Sequence, residues 1–361
     1  MKTSFDRRKT RPLYVGKVGI GGDHPISIQS MTNTDTHDID ATYDQVMRLS
    51  EAGCDIVRIT APDLKSVGTF EALISRGVDI PLVADIHFNH EIAIAAAESG
   101  VSKIRINPGN IGDDSKVLKV VEACKSASVP IRIGVNSGSL EKHILAKYGS
   151  PTPEALAESA LYHASLLEKF DFSDIVISVK ASNVPDMIKA NRILAEKTIY
   201  PLHLGVTEAG GGNSAIVKSS IGIGALLTEG IGDTVRVSLT DDPAEEIYAA
   251  KEILRAVGMA KEPGLDIVAC PTCGRTKINL IGLLSEFKDR VRKEGLDNLN
   301  IKVALMGCVV NGPGEAREAD LGIAGGNGEG LLFKKGEIIR KVDEAKLIDE
   351  LIAEMKSTYC K

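Results

Sequence analysis

Tryptophan is absent from the 361 residues, and only seven phenylalanines and seven tyrosines are present. That scarcity argues against an interaction module that binds through aromatic anchors. No apolar run approaches the roughly 18 residues needed to cross a bilayer, so no membrane span is expected. Positive charge is not in surplus: 43 Lys and Arg face 49 Asp and Glu, a net of −6, which argues against broad nucleic-acid binding. The amino terminus, Met1-Lys2-Thr3-Ser4-Phe5-Asp6-Arg7-Arg8-Lys9, lacks the apolar core of a secretory signal, and a cytoplasmic location is expected. What the chain has in quantity is glycine, 35 residues, together with Val, Ile, Leu and Ala. That is the composition of an α/β enzyme.

Eight short β-branched runs recur: Ile26–Ser30, Asp55–Ala61, Pro81–Ile86, Lys103–Asn107, Pro130–Asn136, Asp174–Lys180, Pro201–Glu208 and Thr234–Leu239. Helix-like stretches separate them, and the starts lie 22 to 33 residues apart except for one gap of 44, which the insert Ser137–Pro153 explains. Eight such units predict a (β/α)8 TIM barrel over residues 1–258. A doubly wound open sheet is the alternative, but no Gly-rich dinucleotide fingerprint follows the first run. After a linker at Met259–Gly264, strand, helix, strand, a Gly-rich β region and a final helix predict a small α/β domain over residues 265–361.

In such a barrel the chemistry sits at the carboxyl ends of the strands. Those ends carry Arg58, Asp85, Arg105, Asn107, Arg132, Asn136, Lys180, Glu208 and Arg236. The period of two places Arg105 with Asn107, and Arg132 with Asn136, on the face opposite the intervening Ile and Val. Apolar neighbours pack on helices, so Arg58, Arg105, Arg132, Lys180 and Arg236 should converge on the barrel mouth. A multiply charged anion would neutralise them, and the planar fork of arginine suits phosphate oxygens. A phosphorylated, diphosphate-class substrate is expected. The simpler reading pairs each cation with Asp85, Glu208 or Asp233, but those acids are too few for all five. The glycine run at Glu208–Asn213 and the stretch Lys218–Gly222 could add backbone amides to a phosphate site. Glu208 could be a general acid/base or an ion-pair partner, whereas His87 and His203 read as structural hydrogen-bonders.

Of six cysteines, Cys54 and Cys124 read as buried thiols and Cys360 as part of a loose tail. Cys270-Pro271-Thr272-Cys273, followed by Cys308 in Gly307-Cys308-Val309-Val310-Asn311-Gly312-Pro313-Gly314-Glu315, reads as a metal site. Zinc wants four N or S ligands, yet none of the histidines, at 24, 37, 87, 90, 143, 163 and 203, lies in this domain. Only Cys360 could complete a four-sulfur set. Three thiolates and a non-sulfur fourth ligand suit a 4Fe-4S cluster, with Glu315 the nearest oxygen donor.

At this point the chain resembles the bacterial 4-hydroxy-3-methylbut-2-enyl diphosphate synthases of the methylerythritol phosphate route to isoprenoids. The resemblance rests on Ile28-Gln29-Ser30-Met31-Thr32, Ala84-Asp85-Ile86-His87-Phe88, Ile104-Arg105-Ile106-Asn107-Pro108-Gly109-Asn110 and Arg132-Ile133-Gly134-Val135-Asn136-Ser137-Gly138-Ser139-Leu140. It continues through Thr207-Glu208-Ala209-Gly210, Gly232-Asp233-Thr234-Val235-Arg236-Val237-Ser238, Cys270-Pro271-Thr272-Cys273-Gly274-Arg275 and the Cys308 loop. It implies reductive ring opening and dehydration of 2-C-methyl-D-erythritol 2,4-cyclodiphosphate, with two electrons from reduced flavodoxin or ferredoxin. It also implies a 4Fe-4S cluster on Cys270, Cys273, Cys308 and Glu315. Arg58, Asp85, Arg105, Asn107, Arg132, Asn136, Lys180 and Arg236 would line the substrate site, with Glu208 beside the departing hydroxyl. The family is a homodimer in which one copy's cluster domain caps the other's barrel. Rival readings are an aconitase-like dehydratase, a metal sensor with a vestigial barrel, and a zinc-stabilised sugar-phosphate aldolase.

Overall fold

The computed structural model describes residues 6–261, 264–308 and 316–360, and the chain divides into two units, Met1–Ala260 and Lys261–Lys361. The first unit begins with a feature that the strand-helix period does not announce. Strands β1 (Leu13–Val15) and β2 (Val18–Ile20) form an antiparallel hairpin, turned at Gly16 with φ +55°. Gly16 is there because φ in this range is costly for a residue with a Cβ.

Eight parallel strands follow: β3 (Ser27–Met31), β4 (Ile56–Thr60), β5 (Leu82–Asp85), β6 (Lys103–Ile106), β7 (Ile131–Asn136), β8 (Ile175–Lys180), β9 (His203–Leu204) and β10 (Thr234–Val235). Their order is β8-β7-β6-β5-β4-β3-β10-β9, and a parallel bridge between Ile177 and Leu202 joins the two edges. The expected eight units are all present. The last two ladders are much shorter than Pro201–Glu208 and Thr234–Leu239. Gly205 abuts the Arg236 carbonyl and Glu208 turns to φ +52°, so the backbone leaves the ladder early.

Polar caps open the helices between the strands. Asp38, Asn89, Asp113, Thr152, Asn183 and Asp242 each accept a first-turn amide, a contact worth about 1 kcal/mol. The long gap holds a short helix, Lys142–Tyr148, ahead of Pro153–Glu168.

Alternation then decides what each strand residue meets. Val57, Ile59, Leu82, Ala84, Ile104, Ile106, Ile131, Ile133, Ile175 and Ile177 pack outward in the core shared with the helices. The alternate residues Ile56, Val83 and Val176 pack instead with Leu13, Val15 and Ile20 of the hairpin. The hairpin therefore plugs the amino-terminal end of the barrel, and the carboxyl end is the mouth. Asp233, offered above as a mouth acid, is at the plugged end. Its carboxylate accepts from Arg7 at 3.0 Å, Thr10 at 2.9 Å and the Leu202 amide at 2.8 Å.

In the second unit β11 (Asp266–Ala269), β12 (Lys302–Met306) and β13 (Leu321–Gly325) run parallel. Strands β14 (Glu329–Lys334) and β15 (Glu337–Asp343) complete the sheet antiparallel. Helices Leu280–Lys293 and Leu347–Tyr359 bury Phe287, Val291, Leu351 and Met355 against Val303, Leu305, Ile323 and Leu332. Cys360, expected in a loose tail, follows directly on the last helix, its amide donating to Lys356.

Asp233→Ala removes the carboxylate paired with Arg7, which keeps the His24 and Gly232 carbonyls, and leaves the buried Leu202 amide and Thr10 hydroxyl without their acceptor. It is expected to destabilise the barrel by about 3 kcal/mol in denaturant unfolding. A loss under about 1 kcal/mol would show that the plugged end does not depend on this carboxylate.

Candidate active site at the barrel mouth and the thiol loops

The inward face of the barrel is cationic. Arg58, Lys103, Arg105, Arg132, Lys180 and Arg236 alternate with outward aliphatics, and the carboxylates that touch them are Asp85 and Glu246. Asp85 sits at the end of β5, with Arg105 Nη1 at 3.2 Å and Arg58 Nε at 3.6 Å. Burial pushes the Asp85 carboxyl up, but Arg58, Arg105 and Arg132 outweigh it, leaving the pKa lowered to about 2. Arg105 also donates to the Gly134 carbonyl at 2.8 Å. A Cβ on Gly134 would collide with that guanidinium, so an inward glycine on β7 is what lets Arg105 lie flat.

Arg58 is held more loosely. Besides Asp85 it donates to the Met31 thioether from Nε at 3.2 Å and Nη2 at 2.8 Å. A thioether is a weak acceptor, so a phosphate oxygen would readily displace it. Burial lowers the Arg58 pKa to about 10, with Asp85 opposing and Arg236 and Arg105 adding to the fall. Arg132 is 1 % exposed; its Nη1 donates to Gln29 Oε1 at 3.2 Å, and its Nε has no partner among the described residues. Burial, then Arg58 and Arg105, press its pKa well down. Lys180 is buried with no carboxylate within ion-pair distance among the described residues, and burial, then Arg236, Arg58 and Arg132, drive it far below its ordinary value. A Cβ on Gly205 would lie 2.9 Å from its Nζ, so a second inward glycine makes room for the amine.

Arg236 departs from the expectation of an unpaired cation. Its Nε and Nη2 donate to Glu246 at 3.0 and 2.9 Å. Glu246 also accepts from Ser30 Oγ at 2.9 Å and the Leu239 amide at 3.2 Å. The acid comes from helix Pro243–Ala256, where it shares the buried face with Ile247, Ala250 and Leu254. Glu246 is a site residue that the sequence reading missed; a glutamate in phase with an apolar helix face is the signal that could have found it. Asn107 is committed as well: its Oδ1 accepts the Gly134 amide at 2.9 Å, tying β6 to β7. Asn136 ends β7 opposite Lys180 in register. His87 lies exposed beside the exposed Phe88, not in a buried hydrogen-bonding position, and His203 is buried inside the barrel.

Glu208 is exposed and makes no ion pair among the described residues. Its φ of +52° is costly for a residue with a side chain, and such strain clusters at functional positions. Directly after it, Gly210 and Gly212 at φ +93° and +58° turn the chain into the helix Gly212–Thr228.

In the second unit, Ala269 pairs with Leu305, so Cys270 and Cys308 leave the same edge of two adjacent parallel strands. The Gly307 amide donates to Cys270 Sγ at 3.2 Å, and the Lys277 amide donates to the Gly307 carbonyl at 3.0 Å, clasping the two loops together. A Cβ on Gly307 would lie 2.8 Å from Thr276 Cγ2, so the approach demands glycine. The three thiols are free of disulfides, Cys308 buried and Cys273 exposed. Backbone and side-chain hydrogen bonds from Arg275 lower the Cys273 thiol, favouring the ligating thiolate. Among the described residues no three His, Cys, Asp or Glu side chains converge tightly enough for a single metal ion. A cubane takes one thiolate per iron, so its ligands surround a body instead of meeting at a point. Three thiolates from clasped, glycine-framed loops, with an amide already directed at one sulfur, fit such a group. Glu315 lies outside the described residues.

A closed parallel barrel with a cationic interior, followed by an α/β unit bearing three free thiols, defines a two-domain barrel protein. The chain belongs to the GcpE family: residues 10–251 match the GcpE TIM-barrel domain and residues 266–357 the GcpE protein C-terminal domain. A Clostridium perfringens protein named 4-hydroxy-3-methylbut-2-en-1-yl diphosphate synthase (flavodoxin) is 59% identical, covering 96% of this chain and 98% of its own. A Clostridium tetani protein of the same name is 56% identical, covering 98% and 100%. A type I 3-dehydroquinate dehydratase structure from Clostridium difficile shares the barrel fold alone, at 15% identity and TM-score 0.50 over 69% of this chain and 97% of its own. No helix among the described residues is long and apolar enough to cross a membrane.

The Asp85 carboxylate is expected to stabilise the barrel by about 2.5 kcal/mol at neutral pH. Its folded pKa lies below the unfolded value of about 3.9, so this contribution is complete above roughly pH 4 and is lost as pH falls toward 2. The stability gap between wild type and Asp85→Asn should close over that window. A gap that persists unchanged at pH 2 would contradict the pairing.

Proposed function

We infer that this chain is an oxidoreductase of isoprenoid precursor synthesis, a 4-hydroxy-3-methylbut-2-enyl diphosphate synthase. It opens the ring of 2-C-methyl-D-erythritol 2,4-cyclodiphosphate reductively, with loss of water, using two electrons from a reduced flavodoxin. The observation that carries this is the surplus of buried cations over carboxylates at the barrel mouth, read together with family membership over nearly the whole chain. Desolvated like charges repel and lower one another's pKa, and a doubly phosphorylated guest is the complement that relieves this.

Within that reading Arg58, Arg105, Arg132 and Lys180 seat the diphosphate. Asp85 holds Arg58 and Arg105 in place before the substrate arrives. Arg236, fixed by Glu246, walls the site more than it neutralises the guest. Asn107 and Asn136 shape the same rim, Asn107 by fixing the β6–β7 junction. The bridging phosphate leaves its carbon as negative charge grows on oxygen, and preorganised cations stabilise that charge. Amides at the start of Gly212–Thr228 can add to the seat. Glu208, on its strained turn, is the proton donor to the departing hydroxyl. Cys270, Cys273 and Cys308 would hold a 4Fe-4S cluster, with Glu315 as the fourth, displaceable ligand. When bound, it supplies single electrons and a Lewis-acidic iron for a substrate oxygen. A cytoplasmic homodimer, with one copy's cluster domain serving the other's barrel, belongs to the same proposal and rests on the resemblance.

Anaerobically purified protein should carry about four iron per chain. Each product molecule should consume two electrons from the donor, and Cys308→Ser should lose both iron and turnover. Zinc in place of iron, or turnover without a reductant, would refute this function.

A further inference from the structure

Deeper in the barrel lies a second set of buried polar atoms that the proposed reaction does not use. Lys103 opens β6 two residues before Arg105 and on the same face, so its side chain enters nearer the plugged end. It is fully buried, and its Nζ has no hydrogen-bond partner among the described residues. Arg132 Nε, Gln29 Nε2, Ser27 Oγ and His203 Nε2 are also buried and unpartnered. Lys103 lies on the strand beside β7, one inward position below the Arg105–Arg132 pair. Ser27 and His203 flank Thr234 in register, and Gln29 is two residues beyond Ser27 on the same face and bonded to Arg132. The Arg132 charge acts on both Lys103 and His203, and the Lys103 charge acts on His203.

The donor inventory decides what such a cluster can hold. Arginine Nε carries a proton and no lone pair. Gln29 Oε1 is taken by Arg132, so its amide nitrogen is the atom left over. A lysine ammonium has three donors and no acceptor, and a serine hydroxyl and a histidine nitrogen can donate too. Among the described residues no acid pairs with them: Asp85 is engaged by Arg58 and Arg105, and Glu246 by Arg236. A water molecule must donate as well as accept, and it leaves the positive charge uncompensated. An anion accepts from every member and supplies the missing charge.

We propose that Lys103 Nζ, Arg132 Nε and Gln29 Nε2 form a binding site for a small inorganic anion of the halide class, buried in the barrel core beneath the diphosphate seat. The ion would keep Lys103 charged and hold the Arg132 guanidinium from below, so that Arg132 is already oriented when substrate enters. The proposal does not depend on the reaction assigned above, because it concerns a resident ion and is read without turnover.

Bromide is the probe. Crystals of the wild-type protein transferred to bromide should show an anomalous peak within hydrogen-bond reach of Lys103 Nζ and Arg132 Nε. At constant ionic strength, replacing gluconate by bromide should raise the melting temperature of the wild type progressively, as ligand binding to the native state requires. Lys103→Met should abolish the response. Where that substitution prevents folding, Gln29→Glu serves instead, since it brings its own carboxylate to the cluster and should leave a folded protein indifferent to bromide. Absence of the peak, or an equal response in wild type and variant, overturns the proposal. A peak without stabilisation marks an adventitious ion only and overturns it equally.

Discussion

The structure turns on a charge imbalance that a hydrophobic barrel interior would never have. Among the described residues, six cationic side chains project into the first unit's cylinder, and the carboxylates paired with them are Asp85 and Glu246. Burial first, and then the neighbouring cations, depress Arg58, Arg132 and Lys180 below their ordinary values. A fold that keeps such a cluster dry must recover the cost elsewhere, through the aliphatic outer layer that packs the strands onto their helices. The outer face of the strands carries the apolar packing, and the proposed substrate seat lies on the inner one.

Small residues and fixed partners make that inner face possible. Gly134 and Gly205 each remove a Cβ that would occupy the volume of Arg105 or Lys180. Asn107 locks two strand ends together, and Glu246 draws Arg236 to one side. Several guanidinium groups are thereby held in place by the fold; in the proposed function such preorganisation would stabilise charge without reorganisation as the bond breaks. In the second unit glycine serves the same end: Gly307 lets the two thiol loops touch and directs its amide at Cys270.

Much of this was legible in the residue order. The strand-helix period announces eight units, and the alternation Lys103-Ile104-Arg105-Ile106 or Arg132-Ile133-Gly134-Val135 says which side chains turn inward. The grouping of Cys270, Cys273 and Cys308 is visible by spacing alone. What escaped depends on contacts distant in sequence. The hairpin Leu13–Ile20 is a pair of three-residue strands, too short for any period to betray, and it is held by residues from β4, β5 and β8. Glu246 looks like surface on a helix until its phase with Ile247 and Ala250 is noticed. Asp233 reads as a mouth acid because sequence places it beside Arg236, whereas it precedes β10 and so faces Arg7 at the plugged end. Lys103 reads as an ordinary strand lysine until the cylinder closes around it.

The central claim of the proposed function is that the mouth cations seat a doubly phosphorylated guest. Calorimetric titration of the cyclic diphosphate, without reductant, into wild type and Lys180→Met measures this directly. Loss of one buried, charge-assisted contact should weaken binding roughly tenfold to a hundredfold. Equal affinity in the two proteins would contradict the account.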